Sequence, residues 1–150
     1  MLKLTLLSSL LFSCSISPAN ADVLPNRTIT PGVARIVDVN TLCTTSTSLV
    51  RNVPQSVKET AYASYGLKGN DRTSCTQGYE IDHLISLELG GSNDIKNLWP
   101  QSFCGANNAH IKDALENKLH AMICSKQITI QDAQSCIATN WIICYSKVMK

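Results

Sequence analysis

The chain of 150 residues is poor in aromatic side chains, at 5%. It has no apolar run of the roughly 20 residues that a membrane-spanning helix needs. The first shortage makes any core mainly aliphatic, and the second argues against a spanning protein. Neither sign of charge dominates, because 13 Lys and Arg face 11 Asp and Glu. Nucleic-acid binders often carry a marked basic excess, so attraction to phosphate, if present, must be local. No CxxC pair occurs among the 7 cysteines, which speaks against a structural zinc knuckle. Internal repeats, low-complexity tracts and domain linkers are all lacking. What remains is one small domain whose 44% hydrophobic content can build a core.

The first residues read as a targeting segment. Lys3 supplies a minimal basic start, Leu4 to Phe12 a short apolar run, and Ala19-Asn20-Ala21 the small residues of a cleavage site. Residues 1–21 are therefore expected to be a signal peptide and residues 22–150 the mature domain, exported to the periplasm or beyond. A lipid anchor at Cys14 is the lesser alternative. Without Lys3 the mature chain has 12 basic and 11 acidic residues, a net charge of +1. Six cysteines remain, and an even number in an exported chain reads as disulfides. Their pairing is open, with one exception. Cys136 and Cys144 fall in one expected helix, where eight residues rise about 12 Å; a disulfide needs Cα atoms within about 7 Å. The spacing predicts that these two do not pair.

Residues 22–52, rich in Thr, Ser, Pro and Asn, read as irregular or short-strand chain that wraps the domain, with Cys43 as a pin. Residues 52–65 read as a helix, with Asn52 as cap, Pro54 in the first turn and Gly66 after the end. Residues 67–76 are a polar loop. Residues 78–84 alternate as a strand does, Gly90-Gly91-Ser92-Asn93 signals a turn, and residues 95–99 form a return strand that Pro100 stops. Residues 107–124 form a helix capped by Asn107 or Asn108, with Ile111, Leu115, Leu119 and Met122 on one face. Thr129 and Asp132 make a capping box for a last helix to about Tyr145, whose apolar face carries Ala133, Ile137, Trp141 and Tyr145. Helix, hairpin, helix, helix is an α+β order.

The stretch with chemical content is YEIDHLISLELGGSNDIKNLWPQ, residues 79–101. Asp82 and His83 are adjacent, Asn97 follows behind the Gly-Gly turn, and a helix opens with Asn107-Asn108-Ala109-His110. Hydrolysis of a phosphodiester needs an activated water, neutralised charge on the phosphorane and a stabilised leaving oxygen. A histidine can act as the base, and a carboxylate with one more side chain can hold a hard cation. In a regular strand Asp82 and His83 point to opposite sides; they share one cleft only if the strand ends or bends there.

This stretch resembles the HNH (His-Me finger, ββα-metal) nucleases, and more narrowly a group of small exported bacterial HNH-like proteins. The likeness runs through Tyr79–Asn93, Asn97–Gln101, Lys112 to Asn117, Leu119-His120 and Cys124, and extends to Thr30-Pro31-Gly32, the helix after Pro54, Ala133-Gln134 and Trp141-Ile142. Ser86 departs from it, standing where the pattern has Pro. The segment Ser102 to Asn107 sets the following helix farther from Asn97 than in the best-known HNH proteins.

The resemblance implies a ββα-metal core with flanking helices and disulfides, and a metal-dependent endonuclease. His83 would be the general base on water. Asp82 would be a metal ligand, joined by Asn108 or by His110. Asn97 would bond across the hairpin loop and fix His83, and Lys112 would contact substrate phosphate. The cofactor would be one divalent ion, Mg²⁺ by default with Mn²⁺ or Zn²⁺ as alternatives. The partner would be nucleic acid, DNA ahead of RNA, met by a monomer with no membrane span. Two other readings stay open: a non-catalytic secreted binding or structural protein on the same scaffold, and a secreted nuclease toxin or effector. Blander roles stand beside these: Asn108 as a helix cap, His110 and Lys112 as a solvated face, His120 as packing, and Trp99 and Trp141 as core.

Overall fold

The computed structural model describes residues 23–150, and the expected signal peptide and Cys14 lie outside them. Two short helices, α1 (Val39–Thr44) and α2 (Thr47–Val50), stand where irregular chain or a short strand was expected. The side chains of Asp38 and Ser46 cap them by accepting from Thr41 N and Ser48 N. The helix α3 (Gln55–Ser64) starts later than expected, with Pro54 rather than Asn52 at the cap position. The Asn52 backbone N–H donates to Asn93 Oδ1 at 3.3 Å.

Strand β1 (Tyr79–His83) pairs antiparallel with β2 (Leu98–Ser102), with Ile81 opposite Pro100 and His83 opposite Leu98. The return strand thus begins three residues later than the sequence pattern suggests, and Pro100 lies inside it. Asp94 Oδ1 accepts from Lys96 N at 2.8 Å and tightens Ile95–Asn97 into a 3₁₀ turn, which delays the strand. Leu84 N donates to Asn97 O, and Phe103 N to Gly78 O. Hydrogen-bonded and open pairs alternate between these rungs, which puts Pro100 in an open pair. Its missing N–H therefore costs no ladder bond.

The connection from His83 to Asn97 is compact. Gly90 has φ +83°, and a Cβ on Gly91 would lie 1.7 Å from Ile85 O, so the Gly-Gly turn is required sterically. The N-terminal segment laces over it: Arg35 N donates to Gly90 O, Arg35 Nε to Gly91 O, and Gly32 N to Lys96 O.

Helix α4 (Ala109–Cys124) follows, capped by Asn108, and α5 (Ile130–Val148) opens on the Thr129–Asp132 capping box. These two helices, α1 and the turn over Leu87–Leu89 enclose the main core, with Leu89, Leu115, Leu119, Ile137 and Trp141 sealed from solvent. A smaller cluster of Tyr62, Cys75 and Tyr79 sits beside it. The domain is α+β, held by three disulfides: Cys43–Cys124, Cys75–Cys104 and Cys136–Cys144.

The last bond overturns the expectation that Cys136 and Cys144 stay apart. Helix α5 is broken at Asn140, whose φ −165° and ψ 99° are extended. Asn140 Oδ1 accepts from Ile142 N and Ile143 N and so caps a second helical segment. The break folds the chain back, and the two Cα atoms are 5.4 Å apart. Three disulfides are consistent with an exported protein. Among the described residues, no helix is long and apolar enough to cross a membrane.

Candidate functional site

Asn97 is fully buried and clamps the hairpin connection from inside. Its Oδ1 accepts from Ile85 N at 2.9 Å and Val33 N at 3.3 Å. Its Nδ2 donates to Ile85 O at 2.9 Å and Ser92 O at 2.8 Å. One amide thus ties together the chain just past His83, the turn, and the overlying N-terminal segment.

His83, at the end of β1, is only 2% exposed. Its Nε2 lies 3.1 Å from Asn93 Oδ1. Asn93 Nδ2 donates to Val50 O at 2.8 Å, which fixes which way this amide points. The Asn93 oxygen must then face the imidazole, so His83 carries its proton on Nε2. Nδ1, which bonds to no described residue, keeps the free lone pair. His83 lines a pocket of about 250 Å³ together with Arg51, Asn52, Val53, Lys58 and Ile81. Burial holds its pKa below the ordinary 6.5, against the upward pull of Asn93 and Asp82, and Arg51 lowers it further. The ring is therefore neutral at neutral pH.

Asp82 turns the other way. The strand stays regular through His83, so neighbouring side chains diverge. Asp82 Oδ2 meets Lys112 Nζ of α4 at 2.6 Å, while His83 meets the segment after α2. The cleft shared by Asp82 and His83, which the sequence admitted only for a strand that bends, is not formed.

Lys112 is completely buried. Its ammonium donates to Asp82, to the backbone oxygen of His83 at 2.8 Å and to Glu116 Oε1. The expected phosphate contact is thereby corrected: the ammonium is enclosed and all three of its N–H groups have acceptors. Burial alone would lower the Lys112 pKa, but the carboxylates of Asp82 and Glu116 outweigh it and hold the ammonium charged. Burial pushes the Glu116 carboxyl up despite the ammonium beside it.

The proposed metal ligands have other partners or stand in solvent, beginning with Asp82 on the Lys112 ammonium. Asn108 is spent as a cap, its Oδ1 accepting from Ile111 N and its Nδ2 donating to Gly105 O. His110 is exposed, its Nδ1 3.9 Å from Asp113 Oδ2 and its ring near Phe103. Glu80, Asp82 and Asp113 crowd one another; Glu80 is raised to about 7, chiefly by burial and then by the two Asp carboxylates. Among the described residues, however, the only three His, Cys or acidic ligands within 4.8 Å of one another are Cys43, His120 and Cys124. That group could hold a metal ion by its spacing, but its two sulfurs are joined as a disulfide. A divalent ion on Asp82 with Asn108 or His110 does not fit this arrangement.

Sequence reasoning missed Arg51, Asn52, Lys58, Asn93 and Glu116. Asn93 stood within a turn signal, and only the fold brings Arg51 and Lys58 to His83. Glu116 carried a readable signal, its i,i+4 spacing from Lys112. Comparisons of the chain with family models, characterised proteins and solved structures give no match. The chain is a small disulfide-linked α+β domain with a histidine pocket at the end of a β-hairpin.

Proposed function

We propose that the His83 pocket receives a phosphodiester group of nucleic acid and that this exported, periplasmic or secreted protein is a nuclease of the HNH-like kind its sequence resembles. The observation that carries this is one imidazole with a free Nδ1 lining a small pocket flanked by two cations, Arg51 and Lys58. Nδ1 accepts a proton from water as that water attacks phosphorus; the P–O bond to the leaving sugar oxygen breaks, and that oxygen takes a proton from solvent. Arg51 and Lys58 offset the charge that grows on the phosphoryl oxygens. Asn93 is a positioning residue that fixes the ring's tautomer, and Asn97 fixes the chain behind it. Because His83 has a lowered pKa, the acid limb of the pH–rate profile falls below 6.5.

The second reading is a phosphate-binding protein that does not cut. It draws on the near-complete burial of His83, 2% exposed. Labelled DNA and RNA, single- and double-stranded, are incubated with the oxidised protein and with His83→Gln. The nuclease reading expects product that falls by about 100-fold or more in the variant. Binding without product supports the second reading, and neither binding nor product rejects both.

A further inference from the structure

We propose that the Lys112 ammonium is the resident cation of this site, taking the place expected for a divalent metal, and that the chemistry at His83 needs no divalent ion. The second half rests on the nuclease reading above; the first rests on geometry alone.

An ammonium has three N–H donors, and this one has three oxygen acceptors: Asp82 Oδ2 at 2.6 Å, His83 O at 2.8 Å and Glu116 Oε1. They come from the strand and from one turn farther along α4, so the cation bridges hairpin and helix. That bridge lies where the resemblance would place a metal, between Asp82 and the following helix. Lys112 has no exposed surface. A magnesium ion would need near-octahedral oxygen ligands at about 2.0–2.1 Å. Seating it on Asp82 would require expelling a buried ammonium from both carboxylates, and the other expected ligands are engaged elsewhere or exposed. The bond to His83 O also makes Lys112 a positioning residue. It holds the backbone of the residue whose ring faces the pocket, from the opposite side of the strand.

The test compares the protein stripped with EDTA and the protein in Mg²⁺, reading cleavage of labelled DNA and RNA, and separately maps paramagnetic broadening by Mn²⁺ in amide NMR spectra. The expected result is cleavage within about twofold in the two conditions, a span well under the roughly 100-fold effects of catalytic groups. Mn²⁺ should cause no selective broadening at residues 82–84 or 112–116. In Lys112→Ala, which frees two carboxylates, Mn²⁺ should broaden those residues and Mg²⁺ should restore at least about tenfold of the cleavage lost in EDTA. Wild-type cleavage that disappears in EDTA and returns with Mg²⁺ overturns the proposal. So does selective Mn²⁺ broadening at Asp82 in the wild type. If no condition gives cleavage, the nuclease reading fails while the Mn²⁺ map still decides the identity of the cation. If Lys112→Ala does not fold, the two wild-type measurements decide alone.

Discussion

Replacing Asn97 with Ala tests whether the hairpin connection depends on one buried amide. The substitution deletes four hydrogen bonds, to Ile85 N, Ile85 O, Ser92 O and Val33 N. Ile85 is buried, so its N–H and C=O are both left without partners. An unsatisfied buried group costs about 1–3 kcal/mol. The two together give roughly 2–6 kcal/mol, with about 4 as the central expectation. The contacts to Ser92 and Val33 are less buried and add little, because water can replace the amide there. For a domain of this size each kcal/mol lowers Tm by about 3–5 °C, so the transition should fall by about 12–20 °C. Thermal unfolding of the oxidised protein, followed by circular dichroism, gives the value. Asn93→Ala is the control. It removes a partly exposed side chain that holds the His83 ring, Val50 O and the Asn52 N–H, and should cost about 1–2 kcal/mol. Cleavage should nevertheless fall more per kcal/mol lost than in Asn97→Ala. A loss under about 1 kcal/mol for Asn97→Ala would refute the reasoning, because the Ile85 groups could not then depend on this side chain.

Three further outcomes are expected. Replacing each cystine by a Ser pair should cost most for Cys43–Cys124, less for Cys75–Cys104 and least for Cys136–Cys144. Their sequence separations of 81, 29 and 8 residues correspond to about 4.5, 3.6 and 2.5 kcal/mol in a chain-entropy account; urea unfolding of the three variants checks the order. Arg51→Ala and Lys58→Ala should each weaken nucleic-acid binding and reduce the slope of log affinity against log salt by about 1, measured by fluorescence anisotropy across a salt series. Glu80 has a pKa raised from 4.5 to about 7, chiefly by burial. The stability it contributes is complete below 4.5 and is lost as pH rises through 7. Glu80→Gln should therefore match the wild type in Tm near pH 4 and exceed it at pH 8.

Much of the fold was legible because local rules decide it. The Thr129–Asp132 capping box, the Asn108 cap and the Gly-Gly turn stand where residue chemistry puts them. What failed depends on context. Pro100 reads as a strand stop until the register places it in an open pair of a two-stranded sheet. Cys136 and Cys144 are too far apart in an unbroken helix; Asn140 breaks it, and Asn in a helical window gives little warning of that. The candidate site was half legible. The sequence string pointed to His83 and Asn97, and the structure places both at the hairpin connection. It could not say which side of the strand Asp82 would take, nor that Lys112 would turn inward to meet it. Those outcomes depend on α4 docking beside the hairpin, and no spacing within residues 79–101 encodes that approach.

The central claim is that nucleic-acid phosphate enters the pocket beneath the His83 ring. The most direct measurement is a ¹⁵N NMR titration of the His83 imidazole and the Arg51 and Lys58 side chains with a non-hydrolysable dinucleotide. The account predicts saturable shifts at all three, with the His83 change carried by Nδ1 while Nε2 keeps its proton. Shifts confined to another surface, or a His83 ring indifferent to the ligand, would contradict it.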